Sequence, residues 1–333
     1  MKAKRIALIG ISTLAIATAC IALTGAGTPG MTPVHGVDWH NDWSLAVSEA
    51  KEKDRPILML SIFGRLDEEV TCANARTLRA TLMKEPEFQA MMQQEVIPVW
   101  EMVREVPKVT IDLGDGKPIR RTIRGNAVMY LCNKKGEILD VFPGVHTAKD
   151  LMPRLRESIK ELAKADTARV LEYHTKLAAN PKYSVPVRPT RITMGKMAME
   201  SPTLDLLGIV EPEPIKGTLA DTDPKQRAFL RAAARLQDAS LTPMSAASAL
   251  RLMGLDAPRE KMTDEELAKA IIEADSQRNI NTVRPVIHLW MASLPRLQSP
   301  AEARPAILEQ ILKIPYRDPY FGLKDVILPG TPE

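Results

Sequence analysis

Apolar positions form short unbroken runs in the first half of the chain and helical stripes in the second. Pro56 to Phe63 is nearly all apolar, Val96–Val103 and Val128–Cys132 repeat the pattern, and the last of these reads as a second hairpin with Glu137–Phe142 around Asn133–Lys134–Lys135–Gly136. Runs of this length predict strands covered on both faces. Between them, apolar residues fall three and four apart. Trp39, Trp43, Ala46 and Ala50 predict a helix from Trp39 to about Lys53. Two helical pieces, divided near Lys84–Glu85–Pro86, follow the first strand. Leu151, Leu155, Ile159 and Leu162 line a helix from about Ala148 to Lys164, which DTARVLEYHTKLAA extends to about residue 179. His174 in that extension reads as a surface or packing residue. Strands alternating with helices make this part α/β.

Two stretches interrupt the alternation. Residues 108–124 read as an inserted hairpin turning at Asp115–Gly116, with Arg120, Arg121 and Arg124 on a solvated strand face. Residues 180–217 carry Pro181, Pro186, Pro189, Pro202, Pro212 and Pro214, which break regular structure and predict a semi-rigid linker. Beyond it, boundary signals predict a mostly helical C-terminal region over 218–333. Asp223–Pro224 and Thr242–Pro243 are helix starts, Gly254 is a stop, and Thr263 with Glu266 forms a capping box. Ser299–Pro300–Ala301–Glu302 starts the last helix, which Pro305 should delay or kink. The tail concentrates Tyr316, Tyr320 and Phe321, which an aromatic-poor chain is expected to bury against itself or a partner.

With 333 residues the chain has room for two units, and a formal net charge of +4 is no electrostatic footprint for nucleic acid. Residues 1–27 read as an export signal, with Lys2, Lys4 and Arg5 before the apolar IALIGISTLAIATA. Ala17–Thr18–Ala19–Cys20 resembles a lipobox and makes Cys20 a lipidation candidate; cleavage near Ala26 or an uncleaved anchor are the alternatives. Membrane association is thus expected only through an N-terminal lipid or signal anchor, in the periplasm or bacterial cell envelope. His35, Asp38 and His40 are an incomplete metal set and read as loop residues. The sequence holds no phosphate-binding Gly loop, no Gly-x-Ser-x-Gly and no haem attachment motif, so neither metal nor cofactor is expected.

The candidate chemistry lies at Cys72. It follows the Ile57–Phe63 strand and the polar loop GRLDEEVT, and it opens the segment ANARTLRATLMKE. A cysteine at a helix N-terminus meets free N–H groups and the positive end of the helix dipole, which favour a thiolate. Asp67, Glu68 and Glu69 oppose that charge, while Arg65 and Arg76 favour it. Cys132 lies about five residues into the following strand and is expected to be buried and out of disulfide reach.

Together, Trp39, the Ala-rich helix ending in Lys, Pro56 with its apolar strand, and Cys72 resemble the thioredoxin-like superfamily, especially thioredoxin-related domains of the bacterial envelope. The resemblance covers about residues 39–163 and implies a three-layer sandwich with the hairpin inserted. It divides the chain into the signal (1–27), a thioredoxin-like domain (37–165), a helix and linker (166–217) and the helical region (218–333). It also implies a degenerate site. Ala75 stands where a second cysteine would be, Asn126–Ala127 where the family has its groove proline, and neither Leu60 nor Ser61 supplies the buried acid. Asn126, Ala127 and Arg76 are then substrate-groove candidates. Two functions follow: a non-catalytic binding or scaffold module with an envelope protein partner, which the three losses favour, and a monothiol thiol-disulfide oxidoreductase using Cys72.

Overall fold

The computed structural model describes residues 30–122, 124–179 and 264–324. The expected export signal with Cys20, the Pro-rich stretch and the expected helix starts at 223–224 and 242–243 lie outside the described residues, as does Thr263.

The chain enters through an antiparallel hairpin, β1 (Met31–Val34) and β2 (Val37–His40). His35 and Gly36 form its two-residue turn with φ of 48° and 77°, both in the left-handed region that such turns use. This corrects the reading of Trp39 as the start of a helix. Trp39 is a buried strand residue paired with Thr32. Helix α1 spans Trp43–Lys53, because the Asp42 carboxylate accepts from Leu45 N at 3.0 Å and fixes the first turn. His40 is buried, and its Nε2 lies 2.7 Å from Glu49 Oε2 on α1.

The centre is β3 (Ile57–Phe63), buried along its whole length. It pairs in parallel with β4 (Ile97–Arg104) and antiparallel with β7 (Ala127–Cys132). β8 (Ile138–Pro143) adds antiparallel to β7, and β2 joins β4 in parallel. The result is a six-stranded mixed sheet in the order β1-β2-β4-β3-β7-β8. Between β3 and β4 the chain forms α2 (Ala73–Ala80), a 3-10 turn (Leu82–Lys84) and α3 (Pro86–Gln94). β5 (Lys108–Ile111) and β6 (Ile119–Thr122) make the separate hairpin. The expected long helix ending near 179 is two helices, α4 (Ala148–Leu162) and α5 (Thr167–Ala178). Asp166 starts the second by accepting from Arg169 N at 2.8 Å.

Residues 264–324 pack back on this sheet. α6 (Asp264–Arg278) runs through a π turn (Asn279–Val283) into α7 (Arg284–Ser293), which lies against α5 and β8. The capping box at Ser299 and Glu302 opens α8 (Pro300–Arg304). Pro305 brings no N–H, and from there the ladder widens into a π segment, with Leu312 N on Ile307 O. One apolar core holds Leu58, Leu131 and Phe142 together with Ile287, Met291 and Leu308. Among the described residues no helix is long and apolar enough to cross a membrane.

Candidate functional site

Cys72 sits where β3 ends. Phe63 O accepts from both Cys72 N (3.1 Å) and Thr71 Oγ1 (2.9 Å), so the loop closes back on the strand. Gly64 (φ 79°) permits that closure, since a Cβ there would stand 3.2 Å from Thr71 Cα. Cys72 is the N-cap of α2: its Sγ accepts from Ala75 N at 3.4 Å and lies 3.6 Å from Asn126 O. The side chain is fully buried.

The loop opposite is Arg124–Gly125–Asn126–Ala127. Asn126 Oδ1 accepts from Asn74 Nδ2 (2.6 Å) and Ala127 N (2.8 Å), which ties the loop to α2. The structure therefore brings Cys72, Asn126 and Ala127 together, along with Asn74, which the sequence did not single out. Arg76 is exposed and turns towards β6, with Nη2 3.4 Å from Thr122 Oγ1. Arg65 is engaged by Asp67 and Glu68, so its charge is answered within the loop. Arg79 donates to Leu66 O, and burial, then Arg76, lowers its pKa. Cys132 pairs with Ile57 at the other end of β3, about 20 Å from the strand end that carries Cys72. Its thiol is buried, and burial, then Glu101, pushes its pKa up. Cys72 and Cys132 are not joined to each other by a disulfide.

Gly125 carries the tightest constraint. Its φ is 93°, and a Cβ would fall 2.8 Å from Cys72 Cβ and 3.1 Å from Phe63 Cβ. Gly125→Ala is expected to destabilise the protein by about 2 kcal/mol or more through backbone strain and overlap. Thermal unfolding of that variant checks this; an unchanged melting temperature would mean that the loop moves freely away from Cys72.

A second polar constellation is fully buried, and the sequence reading missed it. Asp140 on β8 receives Arg284 of α7 on both oxygens (3.2 and 2.9 Å) and Ser158 Oγ of α4 at 2.6 Å. Arg284 also donates to Val141 O at 2.8 Å and lies 4.0 Å over the Phe142 ring. His174 of α5 and His288 of α7 meet Nδ1 to Nδ1 at 2.8 Å. Because His174 Nε2 faces Leu139 O at 2.8 Å, that nitrogen carries the proton. His288 Nδ1 then donates to His174 Nδ1, and the free lone pair of His288 Nε2 faces Arg284 Nη2 at 3.5 Å. Burial lowers the pKa of His174 and depresses that of His288 further, the latter with help from Arg284. Burial alone would raise Asp140, but the Arg284 charge and its hydrogen bonds outweigh it and hold the carboxyl well below the usual range.

Ligand atoms of Asp140, His174 and His288 lie within 4.8 Å of one another. The donor set nevertheless fits a divalent ion poorly. Both carboxylate oxygens are taken by a guanidinium, and an ion would stand beside that fixed positive charge. A cleft of about 320 Å³ beside it is lined by Arg154, Tyr173, Ile280, Arg284 and His288. Its cations are spent inside the protein, Arg154 on Asp150 O and Arg284 on Asp140. The one sequence signal for this cluster was Asp140, a lone charge in the apolar run Ile138–Phe142. No family model, curated protein or solved structure matches the chain.

Proposed function

We propose that the chain is an exported, thioredoxin-like module of the cell envelope that binds a protein partner and does not turn over disulfides. Support for the fold comes from the order β2-β4-β3-β7-β8, with β2, β4 and β3 parallel, a final antiparallel hairpin, and a cysteine-capped helix directly after the central strand. One observation carries the function: the Cys72 thiol is buried and spent as a helix cap, with Ala75 one turn on. A dithiol enzyme leaves its mixed disulfide by internal attack from a second cysteine. Ala75 offers no nucleophile, and Cys132 is buried at the far end of β3. Export rests on residues 1–27, with Cys20 as the lipid candidate.

Insulin reduction in the presence of dithiothreitol tests the reading. The expected rate equals the background without protein, and Cys72→Ser leaves it unchanged. Turnover that disappears in Cys72→Ser would replace the binding module with a monothiol oxidoreductase.

A further inference from the structure

We infer that Ile314–Leu323 is an intramolecular strap closing the face beside Cys72, and that this face takes a partner segment built like the strap, a tight turn bearing a buried aromatic side chain. Its anchors come from the strand ends around the cysteine. Arg104, the last residue of β4, donates to three turn carbonyls, Tyr316 O (3.0 Å), Asp318 O (2.6 Å) and Pro319 O (3.1 Å). Arg124, next to Gly125, is not on a solvated face as its sequence suggested but buried, and it donates to Phe321 O at 2.8 Å. The Phe321 ring is buried edge-on to Phe63, with centroids 5.1 Å apart, and Arg104 lies 5.2 Å over it. Phe63 in turn receives the Cys72 N–H and flanks Gly125. The strap thus rests on the residues that enclose Cys72.

The strap keeps its own shape. Asp318 accepts from Tyr320 N and Gly322 N, and Phe321 stands at φ 56°, a conformation a bulky residue keeps only where its surroundings impose it. Gly322 follows at φ 61°, where a Cβ would crowd Pro315 Cγ at 3.0 Å and Arg124 Nη1 at 2.7 Å. The attachments to Arg104 and Arg124 are hydrogen bonds to backbone carbonyls. Another chain can offer the same groups, because a turn's carbonyls do not depend on its sequence and an aromatic ring supplies the remaining contact. Tyr320, half exposed beside the buried Phe321, marks the outer side of the strap.

The assignment rests on reading this face as the binding surface of the module. The experiment needs neither a partner nor turnover, so its failure is distinct from failure of that reading. N-ethylmaleimide labelling is followed by peptide mass spectrometry in the full chain, in Arg104→Gln and in Phe321→Ala, with Cys132 as the internal reference. In at least one variant Cys72 labelling is expected to rise about tenfold, as for a local opening, while Cys132 keeps its wild-type rate. A synthetic peptide of residues 314–323 added to that variant is expected to slow Cys72 back towards the wild-type rate. The strap is overturned if neither variant shows a selective rise, whether Cys72 is unchanged or both cysteines react together. A selective rise that the peptide leaves unaltered overturns the assigned partner chemistry.

Discussion

Replacing Arg284 with methionine is expected to lower the unfolding free energy by about 3–5 kcal/mol, the range for stripping one partner from a buried ion pair. The pair joins α7 to the sheet. Asp140 is fully buried, and Arg284 supplies the donors to both of its oxygens. In Arg284→Met the Ser158 hydroxyl is left as its one hydrogen-bonding side chain, and the carboxyl must either stay charged without a counter-charge or take up a proton. Val141 O loses its donor as well, and His288 Nε2 loses the guanidinium it faces. Removing both charges is expected to be far milder. In Asp140→Leu with Arg284→Met no charge remains buried, and much of the loss should return. Urea unfolding of the single and double variants at neutral pH checks both statements. A loss below about 1 kcal/mol in Arg284→Met would mean that α7 does not depend on the pair.

The same pair shows where the sequence stopped being informative. β3 was legible because a nearly unbroken apolar run bounded by Pro56 and Gly64 leaves few alternatives. The cap at Cys72 was legible too, since a strand, a polar loop and a helix-forming segment follow one another within a few residues. Trp39 was misread because Trp39, Trp43, Ala46 and Ala50 match a helical period. The competing signal, buried Val37 and Trp39 around exposed Asp38, is three residues long. Asp140 and Arg284 are 144 residues apart, and Arg124 and Phe321 are 197 apart. No local pattern records such pairings, because each partner's own neighbours satisfy helix or strand periodicity without it. The burial of Cys72 belongs to this second kind: helix capping is local, whereas Gly125 and Asn126, the latter 54 residues on, lie against its side chain. Reactivity at Cys72 was therefore the least legible property of the candidate site.

Acid is expected to destabilise the protein well above the range in which carboxylates titrate, and His146 gives the clearest measure. It lies between β8 and α4, fully buried, edge-on to Phe142 at 6.3 Å. Burial first, then the Arg284 charge, lowers its pKa from 6.5 to about 4, against smaller opposing effects from Asp275 and Asp150. The sign follows from linkage. Above pH 6.5 the imidazole is neutral in both folded and unfolded chains. Between 6.5 and about 4 the unfolded chain binds a proton that the folded one refuses, so stability falls with pH. At about 1.4 kcal/mol per pH unit, His146 alone removes about 3 kcal/mol by pH 4. His174 and His288 shift the same way, so their losses add below pH 6.5. Asp140, held low by Arg284, does not begin to lose its contribution until the pH falls below the ordinary carboxylate value. Urea midpoints from pH 7.5 to 4.5 should therefore drop steeply in the wild type and less steeply in His146→Gln, whose amide cannot titrate. The comparison is of slopes, so a constant cost of placing glutamine in the core does not affect it. Parallel slopes in the two proteins would mean that His146 takes up its proton in the folded state near its ordinary pKa.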